Sequence, residues 1–247
     1  MPTRPLTHPD LLPASHLLAA AFHADPMFGA FVHPHRDAHP QDVHLYWLRF
    51  LREALYTPNE HLVVTYLEPC QSDPEQREET VTGLAHWIRN TSAPPQPSWA
   101  SRAALFAVQK YNAAEEYFYP NRALCPQNDA LISQGVPFFA HHWSGSRADS
   151  WHLSLLGVDP PYGKRGFGRE LVSWGMERAR GEGVSCSVIS VRGQEGFYGK
   201  CGFDCVLGGT GDEGGEANVW RAAGLESMPV MVKDWGEVVG VKKYGEE

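Results

Sequence analysis

The amino-acid sequence predicts a mixed α/β domain, and three observations predict it. Helical apolar stripes occupy the first 56 residues, two β-rich runs follow at 61–67 and 80–88, and from Trp151 a strand, a glycine turn, a helix and a strand alternate. The chain has 247 residues, 43% of them hydrophobic, which is enough apolar material for one sizeable core. A single domain over 1–247 is expected.

Each element has its own signal. Arg4-Pro5-Leu6 reads as a short strand, and Asp10 as the N-cap of a helix to about His23, with Leu11, Leu12, His16, Leu17, Leu18, Ala21 and Phe22 near one stripe. A second helix is predicted over 41–56, where Val43, Tyr46, Trp47, Phe50, Leu51 and Leu55 recur at three- and four-residue intervals and Arg49, Arg52 and Glu53 lie opposite. The runs 61–67 and 80–88 are predicted strands of a hairpin, separated by a charged, turn-rich 69–79. After a Pro-rich break (93–97), residues 99–118 read as a helix. Pro120, Pro126, Gly135 and Pro137 mark 119–150 as irregular, and 91–150 as an insertion on the substrate side. Beyond it come a strand at 151–158, a glycine turn at 160–168, a helix over about 168–181, a strand at 184–191 and a short helix over about 194–200. A strand after Gly202, a flexible Gly-rich loop at 208–216, a terminal strand at 227–232 and a loose tail at 237–247 complete the prediction.

Composition narrows the function. Twenty-nine acidic residues against 21 basic ones give a net charge of −8, which repels nucleic acid and anionic membranes, so neither is an expected partner. The segment from Met1 to His8 lacks the apolar core of a secretory signal, and no run approaches the roughly 20 apolar residues of a membrane span, so a cytoplasmic protein is expected. The five cysteines, Cys70, Cys125, Cys186, Cys201 and Cys205, show no paired Cys-x-x-Cys spacing and read as buried reduced thiols. His33, His35, His39 and His44 crowd together, but Pro34 and Pro40 interrupt them and no helical i, i+4 pair fixes a geometry. No metal is expected.

The decisive run is 158–172, Val-Asp-Pro-Pro-Tyr-Gly-Lys-Arg-Gly-Phe-Gly-Arg-Glu-Leu-Val. A strand ends in a proline turn, glycines let the backbone pass close to a ligand, and an apolar-periodic helix begins at once. Such a turn aims backbone N–H groups and a helix dipole at an anion, and Lys164, Arg165 and Arg169 add positive charge. A phosphate-bearing ligand is implied. The run lacks the Gly-x4-Gly-Lys-Ser/Thr of a P-loop, and Leu171 stands where a dinucleotide fingerprint needs its third glycine. It resembles the acetyl-CoA loop of the GNAT superfamily of N-acetyltransferases, Gln/Arg-x-x-Gly-x-Gly/Ala, with Gly166 and Gly168 on the two glycines and Gly163 in place of the first Gln/Arg. Some 30 residues on, Phe197-Tyr198-Gly199-Lys200-Cys201-Gly202-Phe203 resembles the family's Phe/Leu-Tyr-x-Lys-x-Gly-Phe signature.

The resemblance implies a central, mostly antiparallel sheet splayed between its fourth and fifth strands, with helices on both faces, and direct acetyl transfer from acetyl-CoA to an amine. It implies Tyr198 as the general acid that protonates the departing thiol, because an ordinary phenol stays protonated at neutral pH. Lys164, Arg165, Gly166, Phe167, Gly168 and Arg169 would hold the pyrophosphate, Leu156 and Val158 would bond the pantetheine arm through their backbone, and Gln194 would offer a further amide contact. By alternation His152, Ser154, Leu156 and Val158 share a face. Some arylalkylamine acetyltransferases carry two histidines at the positions of His152 and Ser154, so His152 is the candidate base that accepts the amine's proton, with Asp159 the alternative and a purely structural histidine the other reading. Other relatives use a glutamate on an earlier strand, but 80–88 holds no carboxylate. Phe106, Tyr111, Tyr117, Phe118, Tyr119, Phe138, Phe139 and Trp143 either line an apolar acceptor pocket or pack the insertion. The expected acceptor is a small-molecule amine, and the protein a monomer or homodimer. The alternatives are a protein lysine or N-terminus as acceptor, or a CoA-binding module without catalysis.

Overall fold

The computed structural model describes residues 2–69, 79–94 and 96–235. Cys70, the centre of the charged 69–79 segment, Pro95 of the Pro-rich break and the tail at 237–247 lie outside the described residues. Seven strands follow the order β1-β2-β3-β4-β5-β7-β6. The chain divides into two compact units, one of Met1–Trp87, Pro95–Cys125 and Leu155–Leu171, the other of Ile88–Pro94, Pro126–Ser154 and Val172–Glu247.

The first unit is built on two helices, α1 (Leu11–Ala21) and α2 (Val43–Ala54), whose apolar stripes meet strands β2 (Glu60–Leu67) and β3 (Thr80–Asn90). Leu17, Leu18, Trp47 and Leu51 are buried with Val64 and Leu84 in one core, and Leu155 from β4 (Ser150–Val158) joins it. Strand β1 (Thr3–Pro5) pairs antiparallel with β2, Thr3 opposite Thr65, and as the edge strand it tolerates a proline. Asp10 does stand at the N-cap of α1, but its side chain caps no N–H there. It accepts instead from the Thr7 amide at 2.7 Å and from both ends of the Arg4 guanidinium, closing a capping box on the preceding turn.

Helix α3 (Trp99–Phe118) has the predicted bounds and covers part of the polar face of α2. Arg49 is buried rather than solvated, because α3 covers it: Glu115 accepts from Arg49 Nε at 3.3 Å and from Arg52 Nη1 at 2.8 Å. Asn112, also buried, donates to the Arg49 carbonyl at 3.0 Å. The rest of α3 is outward, and Phe106, Tyr111, Tyr117, Phe118 and Tyr119 stand exposed. His33 is fully buried between the Phe28 carbonyl, 2.7 Å from Nδ1, and Asn121 Nδ2, 3.3 Å from Nε2, a core histidine with both nitrogens engaged.

The second unit carries β5 (Ser185–Ile189), β6 (Cys205–Gly209) and β7 (Pro229–Lys233). The first half of β4 runs parallel to β5 from Ser150↔Ser185 to Leu153↔Val188, while β7 pairs antiparallel with both β5 and β6. The 119–150 stretch is more regular than expected. It contains α4 (Pro126–Gly135), in which proline occupies the first turn and glycine the last position, where neither breaks a helix. The expected flexible loop at 208–216 is tied down: buried Asn218 caps α7 (Val219–Ala222) and donates to the Thr210 carbonyl at 2.9 Å, and Ser227 donates to Asp212 at 2.8 Å. The Trp220 indole of α7 then donates to the Leu131 carbonyl of α4 at 2.8 Å and lies tilted against buried Phe139, ring centres 5.0 Å apart.

Candidate active site

In the first unit, the end of β4 leads into the glycine turn. The Asp159 amide bonds the Thr82 carbonyl at 3.0 Å, which fixes the exit, and Pro160–Tyr162 makes one 3-10 turn closed by the Gly163 amide on Pro160. Burial raises the Asp159 carboxyl above its usual range. Two left-handed residues then reverse the chain, Lys164 at φ 61° and Gly166 at φ 96°. The second suits glycine, whereas lysine at the first is a conformation that ordinary residues seldom adopt.

Helix α5 (Phe167–Glu182) begins at once, its first backbone bonds being Arg169 and Glu170 to the Gly166 carbonyl. Phe167 and Leu171 bury themselves, and the Trp87 indole donates to the Leu171 carbonyl at 3.2 Å, so the helix start is anchored. Among the described residues, none of the amides from Lys164 to Gly168 has a backbone carbonyl partner outside regular elements. Residues 163–166 are exposed, as is Arg169, and the Arg165 guanidinium lies 5.5 Å from the Tyr162 ring centre. An exposed turn, three cations and the positive end of a 16-residue helix are the features that suit an anion.

Along β4 the buried residues Trp151, Leu153, Leu155 and Gly157 alternate with the more exposed His152, Ser154, Leu156 and Val158, as expected. The buried positions serve different layers, however. Trp151 packs edge-on against Trp174 of α5, while a side chain at Gly157 would meet Leu18 of α1.

In the second unit, His152 Nδ1 lies 3.0 Å from Ser187 Oγ, the residue directly opposite it on β5. The Trp143 indole donates to the same oxygen at 2.8 Å and stands edge-on to the imidazole, ring centres 5.0 Å apart. Helix α6 (Glu195–Cys201) presents Tyr198. Gly202 ends the helix at φ 111°, and Phe203 turns inward to full burial with its ring 5.9 Å from that of Tyr198. Tyr198 is partly exposed as a whole residue, but burial around its phenol, with Cys201 adding to it, pushes the hydroxyl well above the ordinary tyrosine range. The group is therefore a reservoir of one proton at any neutral or mildly alkaline pH. Gln194 sits exposed at the N-cap of the same helix.

A family model described as the acetyltransferase (GNAT) family matches residues 85–203, which take in β4, the glycine turn, α5, β5 and the tyrosine helix. Residues 85–203 are a GNAT-family acetyltransferase domain. The chain is accordingly an acyltransferase, and its seven-stranded sheet with the β4–β5 parallel pair is the GNAT fold. Among solved structures it is similar to histone acetyltransferase HPA2 and related acetyltransferase from Corynebacterium glutamicum, at TM-score 0.55 and 15% identity over 96% of this chain and 98% of that one. It is also similar to arylalkylamine N-acetyltransferase 2 from Aedes aegypti, at TM-score 0.50 and 14% identity over 95% and 99%. These identities speak for the fold alone. No curated protein matches the sequence.

The candidate site residues thus fall in two groups. Leu156, Val158 and the turn 164–169 belong to the first unit, and His152, Gln194 and Tyr198 to the second. Sequence reading missed Ser187 and named Trp143 only among the aromatics of the insertion, whereas both sit against His152. The strand alternation of 184–191 could have placed Ser187 opposite His152 once β4 and β5 were taken as parallel neighbours, but nothing in the spacing announces Trp143.

Proposed function

We propose that this GNAT enzyme transfers the acetyl group of acetyl-CoA directly to a small-molecule amine. The observation that carries the reading is the turn at 164–168, whose amides have no backbone carbonyl partner outside regular elements among the described residues and which opens helix α5. In this reading the turn from Lys164 to Arg169 holds the CoA pyrophosphate, backbone groups of Leu156 and Val158 hold the pantetheine arm, and Gln194 adds an amide contact. An amine with the same fold's arylalkylamine enzymes as precedent is the first acceptor to test.

The chemistry follows from the residue types. The amine nitrogen attacks the thioester carbonyl carbon, His152 takes the proton that the nitrogen sheds, and the C–S bond breaks as Tyr198 gives its phenolic proton to the leaving sulfur. Burial keeps the Tyr198 phenol protonated until the step, while making it a weaker acid than an ordinary tyrosine. Bound extended, the donor is positioned rather than covalently captured, so no acyl-enzyme is needed.

Incubation with acetyl-CoA and a panel of amines, with free CoA read by a thiol reagent and products by mass spectrometry, tests the proposal. Acceptor-dependent CoA release with an acetylated small amine is the expected result. Acetyl-CoA binding without release under any amine, or acetylation confined to protein lysines or N-termini, would overturn it.

A further inference from the structure

The outward face of helix α3 carries a pattern that a second copy of the same helix would complete. We infer that α3 is a homodimer interface, in which two copies of the chain pair their α3 helices antiparallel about a two-fold axis.

The helix has two distinct sides. At 3.6 residues per turn, Leu105, Val108, Asn112 and Glu115 fall on one side, and these are residues that turn toward the body of the first unit. Opposite them run Trp99, Phe106 and Ala113 at intervals of seven, interleaved with Ala103, Lys110 and Tyr117 at the same interval. Trp99 and Tyr117 are each 82% exposed among the described residues, and Phe106 is 60% exposed. Single exposed aromatics are ordinary, but a line of them at heptad spacing along a helix about 30 Å long is the seam of a helix pair.

Charge and size select the occupant and its direction. A parallel second copy would stack Lys110 on Lys110 inside the seam. In the antiparallel alignment Trp99 meets Tyr117, Ala103 meets Ala113 and Phe106 meets Lys110, each contact occurring twice because a two-fold interface is self-complementary. Lys110 Nζ lies 5.2 Å from the Phe106 ring centre of its own chain, so the ring of the second copy offers the cation another aromatic face. One flank of the seam carries Arg102, Gln109 and Glu116, and the same alignment sets Arg102 of each copy against Glu116 of the other, with Gln109 at the axis. Within the chain the Glu116 carboxylate lies 3.8 Å from Arg49, and its side chain is 54% exposed, which leaves it room for a second cation. The other flank carries Ala100, Ala107 and Ala114, small enough to let the helices approach. Three aromatics from each copy, at roughly 150–250 Å² apiece when buried, bring the interface to about 1,000 Å². That is the lower end for specific association and suits a reversible, roughly micromolar dimer.

Sedimentation velocity on the full-length protein, from about 1 to 200 µM, tests this, since that range brackets a micromolar Kd. The expected result is a monomer at the low end that becomes a dimer as concentration rises. Phe106→Glu puts a charge in the seam and should weaken the dimer by more than about tenfold, with an unchanged circular dichroism spectrum because the position is exposed. Arg102→Glu should also weaken it, by setting Glu against Glu116, and the double variant Arg102→Glu/Glu116→Arg should restore it. A monomer throughout the range, or a dimer indifferent to Phe106→Glu, overturns the inference. A dimer that Phe106→Glu dissolves but the charge exchange does not rescue overturns the antiparallel pairing.

Discussion

At the scale of single residues, Tyr198 carries the sharpest prediction. Tyr198→Phe removes the donor and leaves the ring, so kcat should fall about 10²-fold while the KM for acetyl-CoA stays put. Unchanged kcat in steady-state assays would remove its role. Its phenol also sets a pH expectation. Because burial raises the folded-state pKa above the ordinary value near 10, the proton remains through that region. No alkaline loss of kcat with an apparent pKa near 10 should trace to Tyr198, and a pH–rate profile to about pH 10 checks this. The linkage has a definite sign: the stability tied to the neutral phenol is full below the unfolded pKa and is lost as pH climbs past it. Which of these residues were readable from sequence follows a physical rule. Tyr198 sits in a contiguous run whose helix and Gly-Phe turn are local, whereas Ser187 and Trp143 touch His152 only after strands pair and a turn folds back. Asp10 was half readable, since Thr7-x-x-Asp10 has capping-box spacing but the Arg4 fork on it does not show in spacing.

At the scale of elements, the glycine turn and α3 behave differently. Gly166→Ala places a side chain at φ 96° on an exposed turn. The fold should lose about 1 kcal/mol or a little more. Acetyl-CoA binding, measured by calorimetry, should weaken far more than that, about tenfold or beyond, because the amides would no longer point at one anion. Equal affinity in the variant would show that the turn does not hold the cofactor. For α3 the decisive group is Glu115, which faces two arginines of α2 at once. Glu115→Ala leaves Arg49 buried beside Arg52 with no carboxylate shared between them, and should cost roughly 3 kcal/mol in denaturant unfolding, more than Arg52→Ala. Periodicity gave the bounds of α2 and α3 because a stripe is a local property. It put Arg49 opposite the apolar stripe and could not show that this face is covered, because the covering helix starts about fifty residues downstream. Helix α4 went unseen for another reason: its proline and glycine were read as breakers, although first-turn proline and terminal glycine are where a helix accepts them.

At the scale of the whole molecule, segmentation was legible and strand order was not. Seven strands follow from local β-propensity, but nothing in the spacing says that β7 enters between β5 and β6. That arrangement needs only antiparallel pairs, which impose no crossover length. The route of the chain has a practical consequence. The polypeptide passes from one compact unit to the other after Trp87, Pro94, Cys125, Ser154 and Leu171, and β4 changes unit in mid-strand. Neither piece, 1–125 nor 126–247, therefore contains a complete core of its own, and each should emerge unfolded when made separately. Co-expression of the two pieces should restore a circular dichroism spectrum of the intact protein, so that a nicked enzyme is conceivable and an amputated one is not.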